Sequence, residues 1–223
     1  RPRPLHAALT LLALALGSWT CSNASGPNGG GGGGGIDTLP PPAPSESLTI
    51  VFSTYLGGTQ EDMVRDAAVT PQGNLVVVGS TQSTGFPTPG TGFDHTYATG
   101  GATPSEAFLV AFTPQGTPLW SNLIGGPNFE RFYGVEVSPG GSIFTSGRAG
   151  ASFPVTAGVF QPVFAGGNAG AKYSTQDGSA CRFAGDGSAM TWCSYFGDSD
   201  NTPARDVAID AAENLYIVTS DSM

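Results

Sequence analysis

Few side chains in this sequence can do chemistry, and their spacing limits what that chemistry is. Three cysteines (Cys21, Cys181, Cys193) and two histidines (His6, His95) are its only thiol and imidazole side chains. A zinc site takes three or four His, Cys or carboxylate ligands. His6 lies in an N-terminal stretch expected to be removed, and His95 stands alone in FDHTYATGG, so it reads as a surface loop residue. No serine sits in a G-x-S-x-G elbow between strand and helix, and Gly178-Ser179 and Gly187-Ser188 read as turns. The glycine-rich stretches lack the lysine of a phosphate loop. Two acidic loops, Glu61-Asp62 and Asp198-Ser199-Asp200-Asn201, occupy matching places, with only Glu130 in the corresponding stretch between them. Paired carboxylates serve acid–base chemistry or calcium binding. Neither loop has calcium-loop spacing, so both read as solvated turns, with calcium at Glu61-Asp62 or Asp198-Asp200 left open. No catalytic residue, cofactor or metal ligand is assigned.

The last two cysteines carry a sharper expectation. They bracket CRFAGDGSAMTWC, with Gly187 midway. If 180–184 and 190–196 pair across the AGDGSA turn, a symmetric register sets the cysteines opposite each other. Opposed residues at a non-hydrogen-bonded site have Cα atoms about 4.5 Å apart, which a disulfide accepts. A Cys181–Cys193 disulfide is expected, joining the last strand of one repeat unit to the first of the next. Two buried thiols one register apart are the alternative. The bond suits an exported chain.

Export is read from the N-terminus. Arg1-Pro2-Arg3 precedes AALTLLALALG at 7–17, an apolar run too short to span a bilayer, which takes about 20 residues. Ser18-Trp19-Thr20-Cys21 resembles the lipobox of bacterial lipoproteins, departing from it at Ser18 and Thr20. Cleavage after Ala24 is the competing route. Seven glycines at 29–35 and LPPPAPSES at 39–47 form a flexible tether and a stiffer spacer, as an acylated Cys21 requires. The expected organisation is a signal over 1–21, a disordered linker over 22–47 and a folded region over 48–223. The expected location is the bacterial cell surface, lipid-anchored at the outer membrane.

Composition narrows the partners. The chain holds 8 Lys+Arg against 17 Asp+Glu, a formal charge of −9, and loss of Arg1 and Arg3 takes −9 to −11. Nucleic-acid binding needs a basic stripe, so that class is excluded, and the acidity reads as solubility. Of the chain's 34 glycines and 18 prolines, many lie in the linker, and the rest suit an all-β chain with many tight turns.

One phrase recurs three times. Gly57–Gly79, Gly125–Gly147 and Gly197–Thr219 align without a gap, and RDAAVTPQGNLVVVG matches YGVEVSPGGSIFTSG and RDVAIDAAENLYIVT. Such self-similarity marks a repeated supersecondary unit. Strands are expected at 49–56, 65–70, 74–79 and 107–113, then at 118–124, 132–138, 142–148 and 180–184, then at 190–196, 205–210 and 214–219. Thr70-Pro71-Gln72-Gly73 and Ser138-Pro139-Gly140-Gly141 read as hairpin turns. Four antiparallel strands per unit make a β-propeller blade, with units at about 48–117, 118–189 and 190–223. That is about two and three-quarter blades, as in a fragment of a longer propeller. Long inserts at 80–106 and 148–179 are where such a scaffold binds its ligand.

TYLGGTQEDMVRDAAVTPQGNLVVVGSTQSTGFPT resembles the SBBP repeat family, the beta-propeller repeats of bacterial exported and surface proteins. The likeness extends over about 48–223 and implies the fold, with no shared catalytic residues. The expected function is a non-catalytic surface binding or scaffold module with a protein or glycan ligand. The alternatives are a propeller hydrolase or lyase with its catalytic residues elsewhere, and a purely structural envelope component.

Overall fold

The computed structural model describes residues 10–14, 49–98 and 104–220, and places Cys21 and the linker outside that range. Every strand ladder is antiparallel, and no helix occurs among the described residues. β1 (Thr10–Leu14) pairs with β2 (Ile50–Tyr55). β3 (Asp62–Val69), β4 (Leu75–Thr81), β5 (Glu106–Phe112) and β6 (Pro118–Ile124) then form a four-stranded meander. A second sheet repeats it with β7 (Arg131–Val137), β8 (Ile143–Ala149), β10 (Thr175–Phe183) and β11 (Met190–Phe196). The short β9 (Gly167–Asn168) clips onto β10. β12 (Ala204–Ile209) and β13 (Leu215–Thr219) make a hairpin.

Sheet boundaries and repeat boundaries differ by one strand. The 118–124 segment, expected to open the second unit, is the last strand of the first sheet, and 190–196 likewise closes the second. The cause is the turn at Thr113-Pro114-Gln115-Gly116. Gly116 N donates to Thr113 O at 2.9 Å, Thr113 N to Thr117 O at 2.8 Å, and Gly116 adopts φ +83°. So tight a turn folds β6 back beside β5. The sheets therefore run over 62–124 and 131–196 rather than 48–117 and 118–189. The same geometry recurs at Thr70–Gly73 and Ser138–Gly141, and at Asp210–Glu213, where Glu213 takes glycine's place at φ +60°.

Burial explains the apolar runs. β4 and β5 are buried nearly throughout because both faces of the first sheet are covered. One face meets the second sheet through Val76, Val78 and Leu109 against Phe132, Val135, Ile143 and Phe183. The other buries Val77, Phe108 and Val110 under Leu56 and Phe86, the last from the 82–105 loop and stacked 4.8 Å from Phe108. β3 packs on β7, and β12 on β7 and β8, so the first strands of the successive sheets lie side by side.

Two further expectations change. Gly178 and Ser179 are no turn: they are buried within β10, because that strand starts at Thr175. Asp62 is no solvated acid either. Its Oδ2 accepts from Gly58 N at 2.7 Å and Ser83 Oγ at 2.9 Å, buried where a side chain on Gly57 would strike it. Asp198 and Asp200 do form an exposed turn, with Asp198 Oδ1 accepting from Asp200 N at 2.9 Å.

Candidate anion-binding site

The first strand of each sheet carries a β-bulge at the same repeat position. Pairing passes from Val64 to Asp66 in β3, from Phe132 to Gly134 in β7 and from Ala204 to Asp206 in β12. The residues left without a ladder partner are Arg65, Tyr133 and Arg205. A bulge bends its strand and re-aims the extra side chain, and bulges favour the neighbourhood of functional sites. Because the three strands are neighbours, the three re-aimed side chains meet.

Two more guanidiniums join them. Measured from the Tyr133 ring centre, the Cζ atoms of Arg205, Arg65, Arg148 and Arg131 lie at 4.9, 5.5, 5.7 and 5.9 Å. The chain has 8 Lys+Arg, of which Arg1 and Arg3 are N-terminal. Four of the other six therefore surround one tyrosine in an acidic protein. Lys172 is close by, its Nζ 5.6 Å from the Tyr173 ring centre.

Arg131 and Arg148 are directly opposed across β7 and β8, and are 2% and 4% exposed. Like charges in that relation repel. Burial draws both below the usual arginine value; Tyr133 opposes that shift, and the positive charges of Arg65 on Arg131 and Arg205 on Arg148 add to it. Aromatic faces give partial compensation: Arg131 lies 4.9 Å from the Phe129 ring centre and Arg148 4.1 Å from that of Tyr173. Arg131 Nε donates to Ser80 Oγ at 2.8 Å, and its Nη2 lies 3.8 Å from Glu61 Oε1. Arg148 fares worse. Its Nε and Nη1 are buried and find no acceptor among the described residues.

The nearby acids are otherwise engaged. Asp66 accepts from Val135 N at 2.9 Å and Ala67 N at 2.8 Å, and Asp206 from Val207 N at 2.8 Å. Glu61 also meets Lys172 Nζ at 3.5 Å. Glu136 on β7 sits above the usual carboxylate range through burial and the charges of Asp66 and Asp206. A buried guanidinium pair with unused donors suits an oxyanion, which would accept charge-assisted hydrogen bonds from both arms.

A cleft of about 540 Å³ adjoins the cluster and shares its Phe129 and Tyr173. Asn128, Asn168, Gly170, Ala171, Ser174 and Thr175 complete its lining. Most come from the 148–179 insert. Phe86 and Tyr97 of the 80–106 insert instead pack on the outer core, and Asn122 Oδ1 accepts from Phe93 N and Asp94 N.

A second set of buried ionisable groups has a structural place. Glu106 and Glu130 converge on Gly125. Glu130 accepts from Gly126 N and Gly150 N, both at 3.2 Å, tying two loops to β7. Burial lifts Glu106 to about 8 against a hydrogen bond from Ala98 N, and lifts Glu130 well above the usual range.

Of the residues singled out from sequence, Cys181 and Cys193 stand opposite each other on β10 and β11, Cα atoms 4.0 Å apart, joined by a disulfide. Both strands belong to one sheet, so the bond staples a single hairpin rather than two units, a consequence of the tight Ala184–Ala189 turn. His95 is exposed, its Nε2 3.0 Å from Ser121 O. Among the described residues no three His, Cys, Asp or Glu side chains are grouped to hold a metal. The arginine cluster escaped motif reading because its members are scattered from 65 to 205. A signal was present: Arg65, Tyr133 and Arg205 fill one column of the repeat alignment. No family model matches this chain, and no curated protein is similar to it.

Proposed function

We propose that this chain is an exported, lipid-anchored, non-catalytic module of β-propeller type, related to the SBBP repeats, that holds an anionic ligand between Arg131 and Arg148. Support for the propeller lies in the stacking of like sheets with their first strands side by side. Tyr216 and Val218 on β13 are 58% and 61% exposed, whereas their repeat counterparts Val76 and Val78 are fully buried beneath the next sheet. That face is suited to a further sheet of the same kind. β2 is the counterpart of β6 and β11, the last strands of their sheets. Processing at Cys21 would remove β1 and free β2 to pair in that role.

The observation that carries the binding function is the opposed, buried Arg131–Arg148 pair with two unused donors on Arg148. Opposed like charges destabilise a sheet, and an anion bound between them would offset that cost. Isothermal titration of the processed protein with sodium sulfate tests this reading. Saturable binding that Arg148→Gln abolishes is expected. Equal heats from the native protein and the variant would refute it.

A further inference from the structure

We infer that the guanidinium cluster and the cleft beside it form one site for an acidic sugar, an inference that rests on the anion-binding reading above. The charged end of the site is Arg131 and Arg148, opposed in register across β7 and β8, with Cζ atoms 5.9 and 5.7 Å from the Tyr133 ring centre, and one carboxylate or sulfate would accept from both. The body of the site is the cleft; Tyr173 lines it and covers Arg148, 4.1 Å from the ring centre, so the ligand's oxyanion must enter past that ring to reach the guanidinium. Its volume of about 540 Å³ lies within the range of small-molecule sites.

The lining selects the chemistry of that body. Apart from Ala171 it has no aliphatic side chain and no charged one. A lipid tail would find only the Phe129 and Tyr173 rings and Ala171 as apolar wall, and a second ionised group would find no counter-charge among the lining residues. Asn168, Ser174 and Thr175 instead offer an amide and two hydroxyls beside an aromatic ring. A ring that carries hydroxyls around its edge and one oxyanion matches this pattern, which is the description of a uronic or sulfated sugar. The formal charge of −9 restricts the ligand further. A long polyanion would be repelled by the rest of the surface, while a single acidic residue reaches the one cationic spot.

The test is calorimetric titration of the processed protein with glucuronic acid, glucose 6-sulfate, glucose, adenosine monophosphate, sodium acetate and sodium sulfate. The double substitution Ser174→Gly with Thr175→Ala removes both hydroxyls; glycine keeps the φ of +61° that Ser174 adopts. At least one acidic sugar is expected to bind ten times tighter or more than its parent ion, with no measurable heat from glucose. The double variant should lose that tenfold gain while its sulfate affinity stays the same. The stronger of the two sugars identifies carboxylate or sulfate as the group held. Sugars that bind no tighter than acetate or sulfate would overturn the inference and leave the anion site standing. So would adenosine monophosphate binding more tightly than either sugar. Absence of binding by every anion would remove both readings together.

Discussion

Arg148 carries a charge in a place that charge alone does not explain. It is 96% shielded by its 4% exposure, faces Arg131 across the ladder and leaves two donors unused. Replacing a buried, imperfectly paired charge by an apolar residue is often neutral or stabilising. The contact with Tyr173 offsets part of that gain, by roughly 0.5–2 kcal/mol. Arg148→Met is therefore expected to leave the unliganded protein as stable as before, or up to about 1 kcal/mol more stable, while abolishing anion binding. Urea unfolding read alongside titration checks it, and a loss of 3 kcal/mol or so would make Arg148 a structural residue instead. Glu106 gives a second residue-scale outcome. Burial raises its carboxyl from 4.5 to about 8, so the folded chain keeps a proton that the unfolded chain has released between those values. Its contribution to stability is complete below pH 4.5 and is lost as pH rises through 8. Glu130 and Asp177, also raised by burial, act in the same sense. Unfolding free energy should fall from pH 5 to pH 8, with a shallower fall in Glu106→Gln. An unchanged slope in that variant would contradict the assignment. None of these residues announces itself in the sequence. Charge identity is visible there, but desolvation depends on which sheet covers the side chain.

At the scale of strands and turns, the sequence carried most of the information. The T-P-Q-G turns and the runs LVVV and AFLVAF place β4, β5 and their neighbours within a few residues, because turn φ angles and two-sided burial are local demands. Sheet membership was less legible. The repeat begins with β6-like strands, whereas hydrogen bonding begins the sheet at β3 or β7, and alignment cannot tell those phases apart. The bulges were invisible for a similar reason: an unpaired residue is defined by its partner strand. Within β10 and β11 the Cys181–Cys193 bond closes a separation of 12 residues. A loop of that size is worth about 2–3 kcal/mol through the unfolded chain. Cys181→Ala with Cys193→Ala should lower unfolding free energy by roughly that amount and leave sulfate binding intact, because neither cysteine reaches the arginine cluster. A variant as stable as the native protein would mean that the bond adds nothing to the hairpin.

For the molecule as a whole, the repeat does two things at once. It makes sheets that bury one another's faces, and it aligns their first strands so that one alignment column becomes one place in space. Arg65, Tyr133 and Arg205 are 68 and 72 residues apart in sequence yet gather within 6 Å of the Tyr133 ring centre. The column could be read from sequence; its convergence with Arg131 and Arg148 could not, since that requires the stacking of β3, β7 and β12. Everything proposed for function rests on that convergence being an anion site. The most direct measurement is an anomalous difference map from crystals of the processed protein grown with sodium selenate. The account predicts a selenium peak within hydrogen-bonding reach of the Arg148 and Arg131 guanidiniums. A map with no peak there, and with Arg148 Nε and Nη1 bonded to ordered water alone, would contradict it.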